Sequence, residues 1–176
     1  RHLRVRGTGD ARAPLFTDQD EKRLLYELSQ MSNKNHLRLT KLALVTGFRR
    51  SELLSLNWSN IDLHKEKIYI RRKECAAKGS SSSMRMVPLS HKAKDLLISL
   101  ENKKGKVINL TEGSARNGFE RARKKAGLLN LRFHDLRHIA ISRMWSYGMN
   151  AMEISACSGH KDIKMLMRYS HYQLTY

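Results

Sequence analysis

The sequence predicts an α+β domain, mostly α-helical with a small antiparallel β-sheet. Apolar residues recur at helical spacing through most of the 176 residues, and Gly47, Gly105 and Gly127 fall where such runs stop. Strand character is confined to Lys67-Ile68-Tyr69-Ile70 and Met84-Arg85-Met86-Val87-Pro88. The basic, serine-rich connection between them makes those two a long hairpin with a cationic tip.

In chain order, residues 1–13 carry Arg1, Arg4, Arg6 and Arg12 with two glycines and read as a basic, flexible lead-in; residues 14–176 form the domain proper. The lead-in fits either a linker or a tether along a phosphate backbone. The chain begins at Arg1 rather than Met, which fits a fragment with something missing upstream. Thr17, followed by Asp18 and Asp20, starts a first helix with Leu24, Leu25, Leu28 and Met31 on one face. A second carries Leu37, Leu39, Leu42, Ala43 and Val45 up to Gly47, and a third runs from about Arg49 to Leu56. After the hairpin, Ser90 opens a helix with Ala93, Leu96, Leu97 and Leu100, and Ser114 to Ala126 forms another. Helices follow at about 133–147, 150–158 and 162–172.

Composition narrows the function. Lys plus Arg is 34 against 16 for Asp plus Glu, a net charge of +18, which implies an anionic partner, most often nucleic acid. A merely basic soluble protein has the same balance. Cys75 and Cys157 supply neither a disulfide framework nor a zinc ribbon and fit a reducing cytosol. No run approaches the roughly eighteen apolar residues of a membrane span, and no signal peptide is evident.

The residues able to do chemistry centre on His134-Asp135-Leu136-Arg137-His138. On a helix, His134, Arg137 and His138 share one face while Leu136, Ile139 and Ala140 turn to the core. A guanidinium between two imidazoles suits a phosphate held beside groups that move protons, better than it suits an interior. The His134/His138 spacing also fits a helical metal pair, but no Glu follows the first His and Arg137 would crowd the cation. Arg49 and Glu52 form an i, i+3 pair after Thr46-Gly47, by itself an ordinary surface contact of about half a kcal/mol. Lys78 sits at the hairpin tip, where a mobile lysine can donate a proton to a departing oxygen or simply stay solvated. Tyr169, Tyr172 and Tyr176 lie at helical spacing and fit a packing stripe, since a phenol is a weak nucleophile near neutrality unless assisted.

Taken together, Thr46-Gly47-x-Arg49-x-x-Glu52, Lys78 before Gly79, Val87-Pro88-Leu89, His134-x-x-Arg137-His138, Gly159-His160 and Tyr169 occur in an order that resembles the tyrosine recombinase (phage integrase) family. The resemblance spans about Thr17 to His171 and implies the DNA breaking-rejoining fold of that family's catalytic domain. It implies a site-specific recombinase that cleaves and rejoins DNA through a 3′-phosphotyrosine, serving integration or excision of a phage or other mobile element. By motif, it assigns catalysis to Arg49, Lys78, His134, Arg137, His160 and Tyr169, with Glu52 and His138 in support. Tyr169 would attack the phosphodiester, Arg49 and Arg137 would bracket its nonbridging oxygens, and His160 would add a hydrogen bond. His134 would help accept the tyrosine proton, and Lys78 would protonate the leaving 5′-oxygen. No metal, cofactor or ATP is implied, because the covalent link retains the bond energy.

Arg71, Arg72, Arg121, Arg123, Lys124 and Lys125 would then contact the DNA backbone. The family further implies double-stranded DNA as partner and a homo-tetramer on two sites when full length. Accessory DNA-bending proteins, a location on DNA in a bacterial host cytoplasm, and an amino-terminal core-binding domain beyond this fragment are also implied. A type IB topoisomerase uses similar catalytic residues, and a DNA-binding module with relic residues would share the basic surface. One departure is local: Ala156-Cys157-Ser158 stands where the family usually has leucines before Gly-His.

Overall fold

The computed structural model describes residues 3–4, 15–71, 84–100, 103–160 and 163–167. Strands β1 (Leu3–Arg4) and β2 (Leu15–Phe16) pair antiparallel ahead of helices α1 (Asp18–Ser29), α2 (Asn35–Thr46) and α3 (Arg50–Ser55). A short 3-10 turn at Trp58–Asn60 leads into β3 (Ile61–Asp62), β4 (Lys67–Arg71) and β5 (Met84–Pro88), an antiparallel sheet in that order. Helices α4 (His91–Ile98), α5 (Glu112–Lys125), α6 (Asp135–Ser146), α7 (Ala151–Ser158) and α8 (Ile163–Met167) complete the described chain.

The α+β class expected from the sequence is what forms. Helix α2 is its centre, packing against α1, α3, α4, α5 and α6, with Leu39, Leu42 and Ala43 almost wholly buried. Leu24 and Leu28 of α1, Leu53 of α3, Leu97 of α4 and Leu136 and Ile141 of α6 close the core around it. Helix starts follow capping chemistry. Thr17 accepts from the Asp20 N–H at 3.1 Å while the Asp20 carboxylate accepts from the Thr17 N–H at 2.9 Å. Such a reciprocal cap contributes about 1 kcal/mol. Asn150 and Glu153 repeat it at α7. Gly47 ends α2 in the left-handed region at φ +67°, and a Cβ there would already stand 3.4 Å from the Ala140 Cβ. The same residue therefore turns the chain and lets α2 approach α6.

In the sheet, Ile68, Ile70 and Val87 are buried while Tyr69 and Met86 face out, the period-two alternation of a half-buried sheet. Arg85 pairs with Ile70 in register and shares the inner face with Val87. The expected hairpin strands are present; its serine-rich tip lies outside the described residues.

Four boundaries differ from expectation. Leu3–Arg4 is not merely lead-in, since it pairs with Leu15–Phe16 across the proposed division at residues 13 and 14. Helix α5 begins at Glu112, because Thr111 caps it by accepting from the Ser114 N–H at 3.1 Å. Helix α6 begins at Asp135, where the Asp135 carboxylate accepts from the Arg132 N–H at 2.7 Å. Strand β3 adds a third strand through Ile61 opposite Ile68 and Asp62 opposite Lys67. Among the described residues no helix is long and apolar enough to cross a membrane.

Candidate active site

Two helix ends and two helix starts converge on a cluster of arginines and histidines. Helix α6 presents Arg137 to the C-terminal end of α2, where its Nη1 donates to the Gly47 carbonyl at 2.7 Å. Arg137 is only 3% exposed, deeper than a guanidinium is expected to sit from sequence. The position is tolerable because helix C-terminal carbonyls carry partial negative charge and lack intrahelical donors.

Arg49 occupies the N-cap of α3 and Glu52 its third position. The Glu52 Oε2 accepts from the Arg49 backbone N–H at 2.8 Å, and Oε1 accepts from Arg49 Nη1 at 3.3 Å. The carboxylate thus caps the helix and aims the guanidinium at once. Arg85 Nη2 reaches the same Oε1 at 3.2 Å. The side chains of Glu52 and Arg85 are 11% and 12% exposed, whereas that of Arg49 is 45% exposed and open to a ligand.

His160 follows Gly159, which ends α7 at φ +71°. Arg137 Nη2 lies 3.3 Å from its Nδ1 and 3.4 Å from its Nε2, against the ring. The Ser158 Oγ lies 2.7 Å from Nδ1 and 2.6 Å from the Ile154 carbonyl. Ser155 Oγ donates to the His160 carbonyl at 2.8 Å, so the histidine is held at ring and backbone. Burial, then the charges of Arg137, Arg49, His138 and His134, push the His160 imidazole down to about 4. His134 lies at the exposed rim, its ring edge-on to that of His138 with centroids 5.0 Å apart. Desolvation, followed by Arg137, also holds His134 below the usual imidazole range; desolvation and His134 do the same to His138. All three imidazoles are therefore neutral near pH 7.

The structure brings together Arg49, Glu52, His134, Arg137, His138 and His160. Lys78, Tyr169 and Arg72 lie outside the described residues. Of the backbone-contact candidates, Arg71, Arg121, Lys124 and Lys125 are exposed. Arg123 is turned inward: its Nε donates to Glu120 Oε2 at 2.7 Å and its Nη1 to the Leu129 carbonyl, fastening the end of α5. Sequence reasoning missed Arg85 and Ser158. A signal for Arg85 existed, since the alternation that buries Val87 puts a charged side chain on the same inner face. Ser158 announced itself only as a polar residue in a position of helical apolar spacing.

Residues 15–175 match the Phage integrase family. The chain is 36% identical over 161 residues to the shufflon-specific DNA recombinase of Escherichia coli, covering 89% of this chain and 39% of that protein. It is 32% identical over 175 residues to the integrase of Escherichia phage 186, covering 98% and 48% respectively. The chain thus spans less than half the length of either relative. Among solved structures, the catalytic domain of bacteriophage HP1 integrase superposes with a TM-score of 0.69 at 29% identity, covering 90% of this chain and 87% of that one.

Proposed function

The chain belongs to the phage integrase family, and from that premise we propose that it is the catalytic domain of a site-specific DNA recombinase working through a 3′-phosphotyrosine. The observation that carries the reading is the convergence of Arg49, Arg137 and His160 from three separate elements, with both guanidinium charges bearing on one neutral imidazole. A net charge of +18 supports a polyanionic substrate.

In the proposed reaction the Tyr169 oxygen attacks phosphorus as the bond to the 5′-oxygen breaks. Arg49 and Arg137 donate to the nonbridging oxygens, where charge accumulates. His160 adds a hydrogen bond from Nε2 once the Ser158 hydroxyl turns its proton from Ile154 to Nδ1, which fixes the tautomer. His134, neutral at working pH, receives the phenol proton, and Lys78 gives one to the leaving 5′-oxygen. Attack by a 5′-hydroxyl from another duplex reverses the step and exchanges the strands.

A nicked oligonucleotide carrying the target, from which the short 5′-hydroxyl strand diffuses after cleavage, tests this in the presence of EDTA. The unmodified chain should accumulate covalent protein–DNA adduct. Tyr169→Phe should abolish the adduct while changing DNA affinity by less than about fivefold, because one hydroxyl contributes about 1 kcal/mol or less to such a surface. Adduct persisting in that variant would move the nucleophile elsewhere. DNA binding without adduct in the unmodified chain would reduce the protein to a DNA-binding module.

A further inference from the structure

Arg85 has no part in the chemistry just described, yet it joins the two halves of the cluster. Its guanidinium comes from the inner face of β5 and is 12% exposed. One arm, Nη2, donates to Glu52 Oε1 at 3.2 Å. The other, Nη1, donates to the Cys157 carbonyl at 2.8 Å and the Ala156 carbonyl at 3.3 Å, at the C-terminal end of α7. Its Cζ stands 5.4 Å from the centroid of the Phe48 ring. A Cβ on Gly159 would lie 2.8 Å from its Cζ and Nε, so glycine there admits the guanidinium as well as the left-handed turn.

We propose that Arg85 is a positioning residue that locks Arg49, through the carboxylate of Glu52, in register with the end of α7 that carries His160. This rests on the recombinase reading above. Arg49 is a long side chain with an exposed guanidinium, and holding it still requires a carboxylate that is itself held. Glu52 is fixed by Arg85, and Arg85 is fixed by carbonyls three and four residues ahead of His160. The planar fork suits this job because two divergent N–H vectors can meet a carboxylate and a pair of carbonyls simultaneously. A lysine keeps the charge but offers one nitrogen, so it can serve one side and not both. The aromatic face of Phe48 sets the plane of the fork.

The test uses Arg85→Lys, Glu52→Gln and the double variant in the full chain. Single-turnover adduct formation on the nicked substrate is measured beside DNA affinity at fixed salt. Arg85→Lys should slow the rate constant about ten- to a hundredfold, the scale expected of a misplaced catalytic group, with affinity changed less than about threefold. The double variant should be no slower than the slower single, because both act through one carboxylate. A merely structural role would lower the amplitude by reducing folded protein and leave the rate constant of the remainder intact. A rate within about twofold of the unmodified chain, or additive losses in the double variant, overturns the proposal. The His160 imidazole nitrogen and proton resonances supply a readout independent of activity. They should shift in Arg85→Lys, with faster amide exchange at Ser158 to His160. If the unmodified chain forms no adduct, the recombinase reading fails, and these resonances alone decide whether Arg85 holds the loop. Unchanged resonances and exchange would show that it does not.

Discussion

Acidification should unfold this protein earlier than its carboxylates alone would dictate, and His160 allows the effect to be sized. Its imidazole is held down at about 4 by burial and by Arg137, Arg49, His138 and His134 in that order, against an ordinary value of 6.5. The unfolded chain therefore binds the extra proton throughout the interval between those values. The associated stability is complete above pH 6.5 and is lost as pH falls toward 4. At pH 5 the unfolded imidazole is about 97% protonated and the folded one about 10%; integration from pH 7.5 gives a loss of about 2 kcal/mol. Because the ring is partly open to water, about 1 kcal/mol is the figure to expect, or a melting shift of about 2–4 °C in a domain of this size. Urea unfolding of the unmodified chain and of His160→Gln, at pH 7.5, 6.5, 5.5 and 5.0, measures it as a difference. His36, His134 and His138 are also lowered, and they titrate in both proteins, so the comparison isolates one ring. The unmodified chain should lose about 1 kcal/mol more than the variant across that range. Parallel pH profiles would refute the claim that burial, with Arg137 and Arg49, holds His160 neutral.

Gly118→Ala tests the packing of α5 on α2: the new Cβ would fall 2.2 Å from His36 Nδ1 and 2.3 Å from Cε1. Helix propensity alone favours alanine by about 1 kcal/mol, but overpacking should win and leave the variant about 1–3 kcal/mol less stable. His36→Ala introduced together with it should recover much of that loss, and a stabilised single variant would contradict the arrangement. Lys78→Ala should depress cleavage about a hundredfold or more if this lysine is the general acid. A 5′-bridging sulfur, which departs readily as a thiolate, should restore most of the rate, and absence of rescue would remove that role from Lys78.

The helices were legible because their apolar faces repeat, and burial follows that repeat with little tertiary override: Leu24 and Leu28, Leu39 and Leu42, Leu136 and Ile139 all face inward. Their ends were less so. Ser114 looks like a cap, yet its N–H is what Thr111 caps, three residues earlier. Strand β3 has only two residues and no alternation to display; its conformation is selected by pairing with Ile68 and Lys67. Arg49, Glu52, His134, Arg137 and His160 were legible through motif spacing. Arg85 was not, because its partners lie 33 and 72 residues away and only folding makes them neighbours. Arg137 was found but expected at the surface, since nothing local to its own helix shows that α2 would end beside it.

Two helix ends do similar work with different consequences. The carbonyl end of α2 holds Arg137 through Gly47, and the carbonyl end of α7 holds Arg85 through Ala156 and Cys157. A carbonyl dipole fixes a guanidinium without cancelling its unit charge, whereas a carboxylate does both. The carboxylate of Glu52 is shared by Arg49 and Arg85. The three guanidiniums bring positive charge to the cluster, and the histidines add none while they stay neutral. That positive charge suits a phosphodiester, which carries one negative charge at rest and gains more as a fifth oxygen approaches phosphorus. Burial first, and then the same arginine charge that would meet the transition state, keep His134 and His160 neutral, so His134 stays free to take a proton.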